Sequence, residues 1–151
     1  MGFVPDELVE GTEVMVVAQA PGEYEERGER VVGFEWAGRR RVPLTEPAGP
    51  APLIGPTGWE MAQTYFPLAQ LERGRNVSLA NVLKCRHIKG GTRTNDLPTG
   101  TTRSMAVEHC TTHHFHRPSS VEVVVAMGAL AAQWLGCPGK VSEWRGCVWE
   151  R

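Results

Sequence analysis

The apolar run that ends at Ala18 constrains the fold more than any other feature of the sequence. Between Thr12 and Ala18 the apolar residues follow one another without the alternation of a half-exposed strand, and Ala20-Pro21-Gly22 comes directly after them. A short continuous apolar run that stops at a turn is typical of a strand buried on both faces. We therefore predict a core strand over 12–18.

Strand and helix signals alternate along the rest of the chain. The predicted strands are Val77–Leu83 and Val121–Met127, and the predicted helices are Thr57–Leu71 (bent or ended by Pro67), Thr102–Arg117 and Gly128–Leu135. This alternation predicts an α/β fold with three layers, α/β/α, around a central parallel sheet of about four strands. Proline-rich residues 27–56 are predicted as a loop or insertion, and Lys89–Thr102 as a loop.

Length and charge limit the class of protein. A chain of 151 residues fits one domain, and its 16 Lys and Arg against 17 Asp and Glu give no overall basic field. Any contact with nucleic acid must therefore come from a local patch such as Arg39–Arg41. Without a membrane span or signal peptide, we expect a cytoplasmic monomer with no membrane contact, whose cysteines are free thiols or metal ligands.

Two segments resemble the uracil-DNA glycosylase superfamily, and specifically its iron-sulfur branch, family four. Val16–Glu26 (VVAQAPGEYEE) is similar to that family's strand-ending Gly-Glu-Ala-Pro-Gly-x-x-Glu motif, and Asn81–Arg86 (NVLKCR) to its Asn-Val-Val-Lys-Cys-Arg. Further matches follow in the family's order: Pro52–Gly58 (PLIGPTG), Cys110, Val125–Ala132 and Trp144-Arg145-Gly146. The resemblance spans about residues 12–147.

The resemblance implies a base-excision repair enzyme whose partner is uracil-containing DNA. Such a hydrolase rotates uracil out of the base stack and cleaves its N-glycosidic bond. Asn81 would read uracil O4 and N3–H, because a carboxamide offers one acceptor and two donors, and cytosine presents the opposite pattern. Leu53, at the family's stacking phenylalanine position, would pack against the base.

The same resemblance assigns the groups around the scissile bond. Gln19 and Glu25 would surround the attacking water, and the backbone of Ala20, Pro21 and Gly22 would contact the departing uracil. Gln19 stands where the motif has glutamate, and an amide can orient a water but cannot take its proton. Glu25 matches the second acidic position and would partly compensate. The alternative is a catalytically weak, nucleic-acid-binding relic of the same fold.

Cys85 and Cys110 match the third and fourth ligands of the family's 4Fe-4S cluster. The first two ligands, a Cys-x-x-Cys pair, are absent from Met1–Glu13, and the family's His-Pro-Ser segment does not occur before Arg151. We therefore expect a fragment that is truncated at both ends and carries two of the four cluster ligands.

Plainer interpretations stand beside these. The Ala20-Pro21-Gly22 sequence alone is an ordinary turn, Asn81 can cap a strand end, and the two cysteines can be buried thiols. Four histidines beside Cys110 offer a zinc alternative: His109, His113, His114 and His116. Because no Cys-x-x-Cys pair accompanies them, a solvated or DNA-facing helix surface is favoured. Arg39–Arg41 is either a solvated loop or a phosphate contact.

Overall fold

The computed structural model of the chain describes residues 2–137 and 140–143. The strands are β1 (Val14–Ala18), β2 (Glu29–Ala37), β3 (Arg40–Pro47), β4 (Val77–Asn81), β5 (His87–Lys89), β6 (Thr92–Thr94) and β7 (Val123–Ala126). The helices are α1 (Glu23–Arg27), α2 (Pro56–Glu60), α3 (Phe66–Leu68), α4 (Gly100–His113) and α5 (Ala129–Trp134), with a 3₁₀ turn at Val141–Glu143.

A parallel sheet with the order β4-β1-β7 forms the centre of the described part of the chain. β1 is its middle strand, because Val17 pairs with Ala80 on one side and with Ala126 on the other. The strands predicted over 12–18, 77–83 and 121–127 are confirmed, each within the predicted range. The predicted α/β class is therefore confirmed, with three parallel strands in this region.

Helices cover both faces of the sheet. Met15 and Val17 point to one face, where they pack with Leu130 and Ala131 of α5. Val16 points to the other face and packs with Leu53 and Phe66. Alternate residues of β1 thus enter two different cores, which explains why the strand has no polar face.

The helix predicted over Thr57–Leu71 is confirmed as a continuous helical segment. α2 passes into α3 through a π-helical turn at Met61–Tyr65, and α3 ends at Leu68, one residue after Pro67. The helices predicted over Thr102–Arg117 and Gly128–Leu135 are confirmed as α4 and α5.

Two stretches predicted as loops contain antiparallel hairpins instead. Within 27–56, β2 pairs with β3 around a two-residue connection, Gly38-Arg39. Gly38 has φ 63° at the first position of this connection, a conformation that favours glycine in tight hairpin turns. The prolines of β3 do not prevent pairing, because an isolated hairpin has a free edge. Within Lys89–Thr102, β5 pairs with β6.

None of the described helices has the length and apolar character to cross a bilayer. The predicted turn at Trp144-Arg145-Gly146 and the thiol of Cys147 lie outside the described residues.

Candidate functional site

The strand order creates a crevice at the carboxyl edge of the sheet. β4 and β7 flank β1, and the chain after β1 packs Leu53 and Phe66 on one face of the sheet. The chain after β7 packs α5 on the other face, so the connections after these two neighbouring strands diverge. Doubly wound sheets bind ligands at this switch point. A cavity of about 530 Å³ lies here, between the residues that follow β1 and Met127 and Gly128 after β7. Its size is within the range of small-molecule sites, and we call it the switch-point cavity.

Six of the residues predicted to bind substrate line this cavity: Gln19, Ala20, Pro21, Gly22, Glu25 and Leu53. Asn81 is not part of the lining, and neither predicted metal ligand is. The fold thus brings together the residues after β1 and the loop containing Leu53, which are about thirty residues apart in the sequence.

Gln19 is held against the first turn of α5. Its side-chain Oε1 accepts a hydrogen bond from the Leu130 N–H at 2.9 Å. Gly128 makes this approach possible, because a Cβ at that position would lie 2.5 Å from Gln19 Cδ. With Oε1 engaged by one of the amides that a helix leaves unpaired at its start, the amide Nε2 of Gln19 is the group that remains for a ligand.

Glu25 clamps the two loops that form the cavity wall. Its carboxylate accepts the Gly22 N–H at 2.6 Å and also the Leu53 N–H. The first contact is the reach of an N3 glutamate back to its helix N-cap. The side chain is 6 % exposed, and burial raises the pKa of Glu25, although its two backbone donors and the charge of Arg73 oppose the shift.

This clamp changes the assignment of the backbone donors. Pro21 has no N–H, and the N–H of Gly22 is bonded to Glu25. The predicted contact of this segment with a departing uracil stays a prediction, but neither Pro21 nor Gly22 has a free N–H to donate to it. The Ala20 amide is the donor that remains.

Leu53 has an unusual backbone. It is 5 % exposed and has φ 52°, a left-handed conformation that is costly for a residue with a Cβ and a bulky side chain. Arg73 donates a hydrogen bond to the Leu53 carbonyl at 2.8 Å. Only glycine fits at position 58, because a Cβ there would lie 1.6 Å from the same carbonyl oxygen. Sequence reasoning missed Arg73, because nothing in its local pattern indicates a partner twenty residues away.

Asn81 ends β4 next to Ala18, which lines the switch-point cavity. Its side chain is 0 % exposed, and neither Oδ1 nor Nδ2 has a hydrogen-bond partner among the described residues. Strand alternation puts it on the face of Val77 and Leu79, which pack in the same core as Leu53. A buried carboxamide without partners is costly and uncommon in native proteins.

The buried ion pair of Lys84 and Asp6 holds the backbone of Asn81. Lys84 is 0 % exposed, contacts the carboxylate of Asp6 and donates to the Asn81 carbonyl at 2.6 Å. Burial lowers the pKa of Lys84 and raises that of Asp6, while their mutual attraction acts in the opposite direction on each. The pair fixes where β4 ends and hence where the carboxamide of Asn81 lies.

The predicted ligands Cys85 and Cys110 are free, partly buried thiols that lie near enough to affect each other electrostatically. Burial, and then Cys110, raises the pKa of Cys85, which opposes the thiolate form that binds metal. Over residues 2–137 and 140–143, no group of three or more His, Cys, Asp or Glu side chains is arranged to hold a metal ion. The described residues therefore do not fit a 4Fe-4S cluster, which needs four ligands.

Three of the four histidines in the predicted zinc alternative cluster at the end of α4. The rings of His109 and His113 have centroids 5.0 Å apart, and those of His109 and His114 are 5.4 Å apart. His114 also contacts Phe3 edge-on at 5.1 Å. The described residues do not combine this cluster with Cys110 into a metal site.

No protein-family model and no curated protein matches this sequence.

Proposed function

We propose that this protein is a uracil-DNA glycosylase-like DNA repair protein that takes an extruded uracil into the switch-point cavity and hydrolyses its N-glycosidic bond. The observation that carries the proposal is the unpartnered, fully buried carboxamide of Asn81 beside that cavity. A base-reading amide must not be engaged by other groups of the protein, because its donor and acceptor have to be free to pair with the base. Its donor and acceptor then match N3–H and O4 of uracil, whereas cytosine offers the opposite pattern.

Recognition requires the cavity wall to open toward Asn81. The switch-point cavity is lined by Ala18 and Leu53, while Asn81 lies next to Ala18 in the neighbouring strand and has no exposed surface. In this proposal a displacement of the Leu53 side chain extends the cavity to Asn81. Leu53 would then pack on the face of the pyrimidine ring, and the Ala20 amide would donate to the departing base.

The weak step in this proposal is activation of water. Hydrolysis without a covalent intermediate needs a group that accepts a proton from the attacking water or holds it in place. Oε1 of Gln19 is bonded to Leu130, and each carboxylate oxygen of Glu25 already accepts a backbone N–H. These contacts favour the second candidate function, in which the chain binds uracil-containing DNA with little or no turnover.

No step of the proposed reaction uses an iron-sulfur cluster. We propose that the protein acts on DNA as a monomer in the cytoplasm. A reducing compartment would keep Cys85 and Cys110 as the free thiols that they are in the structure.

Uracil release by the wild type and by Gln19→Glu tests the proposal. The substrates are single-stranded and duplex oligonucleotides with one deoxyuridine, and alkali-induced strand cleavage reports the abasic product. Glutamate has two acceptor oxygens, so one can keep the Leu130 contact while the other accepts from water. We expect Gln19→Glu to release uracil at least about 100-fold faster than the wild type, the usual gain from general base catalysis.

Gln133→Glu is the matched control, because Gln133 is an exposed residue of α5 and the change introduces the same charge. It should leave release unchanged. Preferential binding of uracil-DNA over a cytosine-containing control by both wild type and Gln19→Glu, without release, would select the second candidate. Absence of both release and preferential binding in both proteins would refute the two functions together.

A further inference from the structure

The β2–β3 hairpin carries an exposed aromatic and basic surface that the proposed excision reaction does not use. Its strands pair from Glu29 with Pro47 to Ala37 with Arg40. Residues directly opposite each other in an antiparallel pair lie on the same face. Trp36 is opposite Arg41, so the outer half of this face presents an indole beside a guanidinium.

The tip of the hairpin is a concentrated positive charge. Arg39, Arg40 and Arg41 are consecutive and exposed, and residues 36–45 include no acidic side chain. None of the three arginines forms an ion pair with any residue that the structure describes. Three uncompensated guanidinium groups at a protruding tip favour a polyanionic partner, although the chain as a whole has a net charge of -1.

Trp36 is 75 % exposed, the value for a large aromatic side chain that packs on almost nothing. Phe34, on the same face of β2, is instead fixed in place. Its ring contacts Trp59 edge-on at 5.0 Å, and the guanidinium of Arg41 lies 4.0 Å from its centroid. A packed group of aromatic and cationic side chains thus lies beside one free indole at the end of the hairpin.

This surface leads toward the switch-point cavity. Phe34, Arg41 and Trp59 line a second, largely apolar cleft of about 830 Å³, which we call the aromatic cleft. The two cavities adjoin, because both are lined by Pro56, Thr57 and Met127. A flexible strand that lies along the hairpin face therefore has a continuous path to the carboxyl edge of the sheet.

We propose that the hairpin binds single-stranded nucleic acid, with Arg39 and Arg40 on its phosphates and Trp36 stacked on an unpaired base. Aromatic stacking combined with a basic surface is the usual physical basis of sequence-independent single-strand binding, because every base has a π face and every linkage a charge. Arg40 is opposite Ala37, the pair next to Trp36 and Arg41, so strand alternation puts it on the other face of the hairpin. The bound strand therefore reaches Arg40 by passing over the tip at Arg39. The proposal concerns binding alone and does not depend on uracil release.

Binding of a fluorescein-labelled oligothymidylate of about 20 nucleotides, which contains no uracil, tests it by fluorescence anisotropy over a series of salt concentrations. We expect Trp36→Ala to weaken binding about 5- to 150-fold, the range for loss of one stacked base. The double variant Arg39→Gln/Arg40→Gln should reduce the slope of log affinity against log salt by about 1.4, because each phosphate contact on a single strand contributes about 0.7. Arg41 is left unchanged, since it packs on Phe34.

The charge-matched control is Arg75→Gln/Arg117→Gln, two exposed arginines that precede β4 and β7 at the opposite, amino edge of the sheet. This pair should keep the wild-type slope. Circular dichroism checks that each variant is folded, including the control pair, which loses the contact of Arg75 with Glu72 and the hydrogen bond from Arg117 to the Val121 carbonyl. The proposal is overturned if the wild type does not bind the oligonucleotide, if the hairpin variants bind it like the wild type, or if the control pair loses as much slope. It is equally overturned if the hairpin variants abolish self-association of the wild type instead, since the surface would then serve a second copy of the chain.

Discussion

Replacing Asn81 by leucine should stabilise the free protein while it removes the recognition of uracil that we propose. Asparagine and leucine have the same number of side-chain heavy atoms and the same branching, so the change exchanges two polar atoms for two methyl groups. Both polar atoms of Asn81 are fully buried and lack partners among the described residues. Their neighbours on this face of the sheet are apolar, including Leu79 and Leu53.

The magnitude follows from the cost of an unpaired buried polar group, about 1–3 kcal/mol. Asn81 has two such atoms, but leucine is slightly bulkier, and crowding in a packed core opposes the gain by about 1 kcal/mol or more. We therefore expect the free energy of unfolding to rise by about 1–2 kcal/mol. Binding sites often reduce the stability of a protein, so removal of a binding group can raise the free energy of unfolding.

Urea denaturation followed by tryptophan fluorescence measures this difference, and Ser78→Ala supplies a control on the same strand. Ser78 is also 0 % exposed, but its Oγ accepts the Val9 N–H at 2.9 Å. Its removal leaves that amide unpaired and should cost about 1–3 kcal/mol. Two buried polar residues of β4 thus have predicted effects of opposite sign.

Equal destabilisation by Asn81→Leu and Ser78→Ala would refute the reasoning. It would mean that the Asn81 carboxamide is already satisfied in solution and is not held in reserve for a ligand. Loss of preferential binding to uracil-DNA in Asn81→Leu, together with the stability gain, is the combined result that we expect.

Two further substitutions test how the cavity wall is built. Glu25→Ala leaves the amides of Gly22 and Leu53 without their acceptor and should lower the free energy of unfolding by about 2–4 kcal/mol in urea titrations. Burial raises the pKa of Glu25, so its contribution to the free energy of unfolding is complete below the ordinary glutamate pKa and declines as the pH rises through the raised value. The difference in unfolding free energy between wild type and Glu25→Ala should therefore be larger at pH 5 than at pH 7.5. A smaller difference at pH 5 would contradict the burial argument. Gly58→Ala should lower the thermal midpoint of unfolding by several degrees, because the new Cβ would overlap the Leu53 carbonyl. Gly33→Ala is the control and should change the midpoint little, because the nearest atom to its Cβ would be 3.9 Å away. Equal midpoints for the two variants would show that the Leu53 loop moves freely.

The sequence was informative where structure depends on local pattern. The strand over 12–18 was predictable because burial on both faces leaves no polar position, and the same reasoning located β4 and β7. The hairpin within 27–56 was missed because its prolines and glycines indicate loops, whereas the pairing that makes β2 and β3 strands depends on residues in both. That the residues after β1 line a cavity was predictable, because ligand cavities of parallel sheets lie at the carboxyl ends of the strands.

The contacts that decide the chemistry of the site were not predictable, because they join distant parts of the chain. Gln19 bonds to Leu130, 111 positions later, and Glu25 to Leu53, 28 positions later. No periodicity or composition records such pairs. Gly128 is the one local sign of the contact between Gln19 and Leu130, because a glycine next to a strand can indicate that another group approaches the backbone closely.

The strained backbone of Leu53 connects the two halves of this site. A leucine with φ 52° costs about 1–3 kcal/mol, and such strain persists only where surrounding contacts hold it. Here Glu25 accepts the Leu53 N–H, and Arg73, paired with Glu7, donates to the Leu53 carbonyl. Both sides of the residue are thus restrained while its side chain lines the switch-point cavity and packs in the core that Asn81 faces. Because the backbone is held on both sides, the opening toward Asn81 that the proposed function requires would come from rotation of the Leu53 side chain, with the rest of the cavity wall kept in place.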